Sequence, residues 1–236
     1  MHEELGIGLL VVAATPSSLA SAAVWTRRTG GNDVVAMLIS VVTNLSCFLA
    51  TPVWLKWTTG RAVLMDGLMI NMMSKLGLLV VLPMILAQLI RLLPPIDCWG
   101  TLRKKPLGVL AQLGGLLMVW LGSIKVGQEL STAPLGKGPE TLDFVGMLLA
   151  VVVIHLAMVA AGHGLGRLAG FSHADRIAIG FAGSQKTLLV GLHVAVTYFG
   201  GLAIFPMVTY QVSQLVLDAW IADRLREKVD PESPAS

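Results

Sequence analysis

Charged residues are scarce in this sequence, and their scarcity excludes most soluble folds. Only 13% of the 236 residues are Asp, Glu, Lys or Arg, whereas 55% are hydrophobic. A soluble domain carries roughly 25% charged residues. The apolar residues also stand in long runs without the alternation of a half-buried strand. The sequence therefore predicts an all-α polytopic membrane protein.

Cysteines and catalytic motifs are equally few. The two cysteines, Cys47 and Cys98, cannot form a disulfide framework. The chain has no HExxH motif, no Gly-x-Ser-x-Gly elbow and no paired carboxylates, so we do not expect an enzyme. The net charge of +3 comes from loops between apolar runs, which argues against a nucleic-acid partner. The expected partners are membrane lipid and a small solute, and the oligomeric state is left open.

Seven apolar segments are predicted to cross the membrane, since a crossing helix needs about 20 residues. They lie at 5–26 (broken), 33–55, 67–93, 107–126, 143–169, 176–199 (broken) and 201–222. Together they form a transmembrane transporter domain over 1–224. Residues 225–236 are charged and then rich in Pro and Ser, which predicts a disordered cytoplasmic tail.

Two of these segments contain polar groups where hydrocarbon would surround them. Pro16, Ser17 and Ser18 interrupt the first, and the stretch from Gly183 to Thr187 interrupts the sixth. Such groups must face protein or a water-filled cavity, because hydrocarbon cannot satisfy them. A proline kink would also explain the first interruption, and a polar loop between two short helices would explain the second. We favour two broken helices that line a site.

Basic residues favour one side of the predicted topology. The richer side holds Arg27, Arg28, Arg91, Arg103, Lys104, Lys105, Arg167, Arg176, Arg224, Arg226 and Lys228. The other side holds Lys56, Arg61 and Lys137. By the positive-inside rule the first side is cytoplasmic. We therefore expect a multi-pass protein of the cell (inner) membrane with a cytoplasmic C-terminus.

The spacing of the two broken helices predicts an inverted repeat. Four continuous spans separate them, and one more span follows each, which is the pattern of five-helix units with the broken helix fourth. Such repeats place their broken helices at the bilayer midplane in secondary transporters. The second unit has all five members, whereas the first has only its last two. Three helices are thus expected ahead of Met1, and a mis-called start and a true short form both remain open.

Three motifs stand out: Pro16–Ser21 with Gly30-Gly31-Asn32, Asn44 to Pro52, and Gly183–Leu188. They resemble the sodium/bile acid symporter family, solute carrier family ten, in the branch with a Gly-Ser-Gln-Lys motif. The last span, with Pro206, Tyr210, Gln211 and Gln214, is also similar. The resemblance covers nearly the whole chain. It implies ten helices in a complete member, of which the first three are absent here.

The resemblance also implies ion-binding positions. Sodium binds in this family where the broken helices cross, and the matching positions here are Ser21, Ser40, Asn44 and Gln185. Two family residues differ: Phe181 stands at the position of the acidic anchor, and Ala22 at that of an asparagine. No other cofactor is implied.

Lys186 suggests how the missing charge could be replaced. Its ammonium could balance the helix dipoles or an anionic substrate and couple transport to protons. Equally, it could only pin the two half-helices by bonding their carbonyls. The predicted function is secondary transport of an organic anion or related small solute, sodium- or proton-coupled, by alternating access. The predicted substrate- or ion-binding residues are Ser21, Ser40, Asn44, Ser184, Gln185, Lys186 and Thr187, with helix breaks at Pro16, Ser17, Ser18 and Gly183. The alternative is a truncated membrane protein without transport of its own, acting as a scaffold or regulatory subunit.

Overall fold

The structure, a computed structural model, describes residues 1–60, 66–93, 102–132, 139–200 and 202–229. The fold is 85% helix, and the described ranges contain no strand. These ranges hold ten α-helices: α1 (Glu3–Ala14), α2 (Ser21–Arg28), α3 (Asp33–Thr59), α4 (Asp66–Leu76), α5 (Leu82–Arg91), α6 (Lys104–Thr132), α7 (Thr141–Leu168), α8 (His173–Ser184), α9 (Leu188–Tyr198) and α10 (Ile204–Val229). A π-helical turn, Gly77–Val81, joins α4 to α5. The all-α fold class is confirmed.

Four helical segments within the described ranges are long and apolar enough to cross a membrane. They are Asp33–Thr59, Gly67–Arg91, Thr141–Leu168 and His173–Tyr198. The last contains the break between α8 and α9, so its mean hydropathy is sufficient for a crossing in spite of the polar residues at the break. Helix α10 extends to Val229, and residues 225–229 of the predicted disordered tail are therefore helical. Residues 230–236, like Arg61, Cys98 and Lys137, lie outside the described residues.

Polar side chains fix where the helices at the basic end begin. The Asn32 carboxamide oxygen accepts from the Val35 amide at the start of α3, and the Ser172 hydroxyl accepts from the Asp175 amide at the start of α8. Such caps satisfy amides that the first turn of a helix leaves without partners. The Asn32 amide also donates to the Ala174 carbonyl at 3.0 Å, which joins the two caps. A salt bridge from Arg28 to Asp223, at 2.7 Å, ties α10 to the same end.

Helix α1 lies in the middle of the core. One face, with Ile7 and Val11, packs in a cluster with Leu55, Met72 and Val194, among others. The other face carries Leu5, Leu9 and Val12, which pack in a cluster with Met147, Val151, Leu188, Met207 and Tyr210. These clusters draw α3, α4, α7, α9 and α10 around α1. A broken helix therefore stands at the centre of the bundle, and Pro16 and Ser17 at its break are buried.

Glycines bring α7 against α8. A methyl group on Gly162 would lie 2.9 Å from the Ile179 carbonyl oxygen, and one on Gly180 would lie 3.1 Å from the Val159 carbonyl oxygen. Both distances are too short for ordinary contact. Small residues of this kind let membrane helices approach closely. The packing holds α8, and hence the second break, at a fixed position beside α7.

Candidate functional site

The two helix breaks touch each other. The amide of Thr187, in the second break, donates to the carbonyl of Pro16, in the first, at 2.9 Å. The Ser21 hydroxyl donates to the Gln185 side-chain oxygen and adjoins the Ser18 hydroxyl, at 2.6 Å. Pro16 and Thr187, which are 171 positions apart in the sequence, are thus directly hydrogen-bonded. We call this meeting point the crossing.

Helix α3 supplies the partners of the first break. The Asn44 amide nitrogen donates to the Ser17 and Ser40 carbonyls, both at 2.8 Å. The Ser40 hydroxyl lies 3.2 Å from the Ser17 hydroxyl and donates to the Ser18 carbonyl at 3.2 Å. Ser17, Ser40 and Asn44 are all buried. Polar residues placed four apart on α3 therefore satisfy the backbone that Pro16 takes out of helical geometry.

Helix α10 supplies the partners of the second break. The Gln214 side chain accepts from the Lys186 amide at 3.0 Å and donates to the Lys186 carbonyl at 3.2 Å. The Tyr210 hydroxyl donates to the Ser184 carbonyl at 2.7 Å. The Ser184 hydroxyl turns back to the Phe181 carbonyl, at 3.2 Å. The backbone of the second break is thus bonded on both sides of Gln185.

A buried carboxylate, not anticipated from the sequence, also reaches the crossing. Asp218 accepts from the Gln185 side-chain nitrogen through one oxygen and lies 2.9 Å from His155 Nε2 through the other. Both Asp218 and His155 are fully buried. Neither residue is among the site residues predicted from the sequence. The available signal was an acidic residue inside an apolar span, which is expensive unless it is functional or paired.

The predicted site residues form two hydrogen-bonded groups, and Ser18 contacts both of them. Its carbonyl accepts from Ser40, and its hydroxyl adjoins that of Ser21. Ser40 and Asn44 bond to the first break, while Ser21 and Gln185 bond to each other and lead to Asp218. Ser184 joins the crossing through its carbonyl, and Thr187 joins through its amide. Gly183, predicted as a helix-break residue, instead lies in the last turn of α8, because the helix continues to Ser184. A side chain at Gly183 would meet open space. The Lys186 side chain is partly buried beside the crossing.

The four predicted sodium ligands all take part in hydrogen bonds within the protein. Asn44 turns its amide nitrogen, which cannot coordinate a cation, toward the two serine carbonyls. The Gln185 oxygen is bonded to Ser21, and its nitrogen is bonded to Asp218. Phe181, at the position of the family's acidic anchor, packs in an apolar cluster with Ile177 and Ala222. Hard cations are held by oxygen ligands, and the nitrogen of Asn44 and the oxygen of Gln185 are here engaged in hydrogen bonds within the protein. Sodium binding at these four residues stays a prediction.

Several relatives align with this chain over most of its length. The uncharacterized protein PA2026 of Pseudomonas aeruginosa is 29% identical over 98% of the chain and 69% of its own length. Sodium/bile acid cotransporter 7 of Rattus norvegicus is 22% identical over 96% of the chain and 66% of its own length. Sodium/bile acid cotransporter 7 of Danio rerio is 26% identical over 92% of the chain and 64% of its own length. The chain therefore spans about two thirds of the length of these relatives.

A family assignment follows from a match over nearly the whole chain. The sequence profile of the SBF-like CPA transporter family covers residues 1–227. That range includes both helix breaks, the supporting helix α3, all but the last two residues of α10, and the buried Asp218. The resemblance drawn from the motifs is thus confirmed. The chain is an integral membrane protein that belongs to the SBF-like CPA transporter family.

Proposed function

We propose that this chain carries the substrate site of a secondary transporter, which moves an organic anion or related small solute by alternating access. The observation that supports this most directly is the bond between the two breaks, from Thr187 to Pro16 at 2.9 Å. Discontinuous helices that meet inside the membrane form the binding sites of secondary transporters. At such a meeting the ends of half-helices aim partial charges at one point.

Lys186 gives the site a preference for anions. Gln214 holds both the amide and the carbonyl of this residue, so the backbone is fixed while the side chain remains available. Within the part of the chain that the structure describes, the Lys186 ammonium has no carboxylate partner, and the Thr187 hydroxyl makes no hydrogen bond. A cation in a low-dielectric site is stabilised by an anionic ligand. These two adjacent groups are suited to a carboxylate or sulfonate.

Next to the crossing, the end of the first break is exposed. Leu19 is 44% exposed, and Ala20 is exposed beside it. Ser21 and Lys186 are partly buried behind them. A solute entering here would meet both breaks at once. Alternating access then requires that the solute binds the two states with different affinities, since only differential binding shifts a conformational equilibrium.

The membrane orientation is part of the same proposal. The end of the bundle that holds Arg28, Asn32 and Asp223 carries the basic loops and faces the cytoplasm of the cell (inner) membrane. Transport is driven by a sodium gradient or by a proton gradient. The names of the rat and zebrafish relatives make a bile acid the first probe to use.

The proposal is tested by reconstituting the full chain in proteoliposomes and measuring uptake of radiolabelled taurocholate. Sodium and proton gradients are imposed separately, at matched membrane potential. We expect accumulation driven by one of the two gradients, and loss of most uptake in Lys186→Met. Lys75→Met is the matched control, because Lys75 lies exposed on α4, away from the crossing, and should retain uptake.

Two outcomes would contradict the proposal. Equal uptake by Lys186→Met and the unchanged chain would remove Lys186 from the site. Failure of a panel of bile acids, other sulfonates and carboxylates to accumulate under either gradient would favour the scaffold or regulatory role instead.

A further inference from the structure

Two apolar spans end side by side at the turn between α7 and α8. The span Thr141–Leu168 finishes there, and the span His173–Tyr198 begins just beyond it. Gly170 makes the reversal with a φ of +77°, a left-handed conformation that glycine adopts at little cost. Side chains on the last turn of α7 and on the first turn of α8 therefore lie at the level of the lipid headgroups.

Four basic or ionisable side chains gather at this turn. His163 and Arg167 are four apart on α7, so they share one face of that helix. His173 and Arg176 are three apart on α8 and likewise share a face. The two imidazole rings meet edge to face, with centroids 5.9 Å apart. The charges of both arginines also act on His163, so all four side chains are neighbours. We call this cluster the basic patch.

The two arginines of the basic patch lack the partners that other arginines at this end possess. Arg28 pairs with Asp223 at 2.7 Å, and Arg27 also has a carboxylate partner. Arg167 and Arg176, in contrast, make no ion pair with any residue that the structure describes. Two uncompensated guanidinium groups attract an anion, and they repel the metal ion that a pair of histidines alone would suit.

The carboxylate nearest in sequence does not neutralise these arginines. One oxygen of Asp175 accepts from the Asn32 side-chain nitrogen at 2.8 Å, and the other accepts from the Ser172 hydroxyl at 2.7 Å. Both donors are neutral groups. Asp175 thus serves the joint between α3 and α8, and the guanidinium groups stay free for an external partner.

Arg176 is held in place by packing rather than by charge. A methyl group on Gly166 would lie 3.0 Å from Arg176 Cγ, so the arginine stem crosses α7 where a glycine leaves room. Arg176 Nε donates to the Ser172 carbonyl at 3.4 Å. Its two terminal nitrogens make no hydrogen bond within the described part of the chain. A guanidinium fixed in this way presents paired N–H donors, which match two oxygens of a phosphate group.

Exposed apolar side chains next to the basic patch favour a lipid over a soluble anion. Leu168 is 86% exposed and Phe171 is 50% exposed, both in the same turn. In water such surface is unfavourable, whereas at the edge of a bilayer it can contact acyl chains. A soluble phosphate would use the arginines alone. A phospholipid would use both features at once.

We propose that the basic patch binds the phosphate of an anionic phospholipid, with Leu168 and Phe171 against its acyl chains. Basic pockets between membrane helices recognise lipid headgroups through this combination of charge and position. Since α8 leads from this turn to the second break, a bound headgroup would anchor that half-helix to the membrane surface. The lipid site is separate from the crossing, so its test requires no transport.

The site is tested by titrating the full chain, purified in a neutral detergent, with dioctanoyl phosphatidylglycerol. Native mass spectrometry counts the retained lipid, and dioctanoyl phosphatidylcholine is the uncharged comparison. We expect phosphatidylglycerol to bind about tenfold more tightly than phosphatidylcholine. Arg167→Gln should weaken phosphatidylglycerol roughly fivefold, and the double variant with Arg176→Gln should weaken it roughly 25-fold. Equal binding of the two phospholipids would overturn the proposal.

The matched control removes the same charge from the same end of the bundle. Arg27→Gln combined with Arg224→Gln should retain phosphatidylglycerol to within about twofold, because diffuse charge attraction is screened by salt. Equal losses in the two double variants would show general attraction to the surface and contradict a site. Thermal unfolding checks that each variant is folded. Arg167→Gln alone decides the question if the double variant unfolds, since the exposed Arg167 side chain makes no bond in the described ranges.

A competition experiment distinguishes a lipid from a soluble phosphate. Glycerol phosphate at the same concentration should not displace phosphatidylglycerol, because it cannot contact Leu168 or Phe171. Phe171→Ser should weaken phosphatidylglycerol by about threefold or more through the lost apolar contact. Displacement by glycerol phosphate, with unchanged binding in Phe171→Ser, would assign the basic patch to a soluble anion and overturn the proposal.

Discussion

The two breaks solve the same physical problem with different chemistry. Each interrupts a helix at a depth where backbone groups cannot be left without partners. At the first break, the partners are hydroxyl and amide groups of α3, and all are neutral. At the second, they are Gln214 and Tyr210 of α10, with the ionisable groups Asp218 and His155 behind them. The first break is therefore bonded by neutral groups alone, whereas the second adjoins ionisable side chains.

The likeness between the breaks is as informative as the difference. In both, the helix that follows the broken helix in sequence supplies an amide side chain, Asn44 on α3 and Gln214 on α10, which bonds to the exposed backbone. An inverted repeat would produce this correspondence, because equivalent helices lie beside equivalent breaks. The chemical difference between the two breaks would then have arisen between two copies of the same helix arrangement. It concentrates ionisable groups on one side of the crossing, where Lys186 also lies.

Replacing Gln214 should produce the largest loss among substitutions at the two breaks. Gln214→Leu leaves both the amide and the carbonyl of Lys186 without partners in a fully buried position. We expect a loss of about 3 kcal/mol, measured as a lower Tm in detergent micelles. Gln88→Leu is the matched control on the exposed side of α5 and should change Tm little. Equal losses would show that the loss is unrelated to the break.

Replacing Asn44 should cost less than replacing Gln214. Asn44→Leu removes two bonds, but the Ser40 carbonyl also accepts from the Thr43 hydroxyl at 3.1 Å, so mainly the Ser17 carbonyl is orphaned. We expect about 2 kcal/mol from the same unfolding measurement. If Asn44→Leu proved more destabilising than Gln214→Leu, the second break would not be the more dependent of the two.

Much of this arrangement could be predicted from sequence, for identifiable reasons. Pro16 and the polar run after Gly183 violate an otherwise apolar pattern, so they indicated two breaks, and the family resemblance indicated Asn44. Asp218 did not stand out, because it lies near the end of its span and its partner His155 is 63 residues away. Only the packing of α7 against α10 brings them together. Long-range pairing of this kind leaves no local pattern in the chain.

Replacing Thr51 should weaken the first break slightly. The Thr51 hydroxyl donates to the Ala14 carbonyl at 2.7 Å, at the end of α1, where the last carbonyls have no helical partner. Thr51→Val preserves shape and removes only this bond, so we expect a loss of about 1 kcal/mol in thermal unfolding. Thr58→Val is the control, because the Thr58 hydroxyl bonds within its own exposed turn. A loss no larger than that of the control would mean that the end of α1 is satisfied in another way.

Replacing Gly183 should change stability least, and it tests most directly how the second break is held. A methyl group there meets no atom within 4 Å, whereas one on Gly180, a turn earlier, would press against the Val159 carbonyl oxygen at 3.1 Å. Gly183→Ala should therefore leave stability unchanged or raise it by up to about 1 kcal/mol, since alanine favours the helix. Gly180→Ala should lower it by about 1–2 kcal/mol through strain against α7. If Gly183→Ala were the more damaging of the two, the break would depend on the flexibility of glycine rather than on the fixed contacts from α7 and α10.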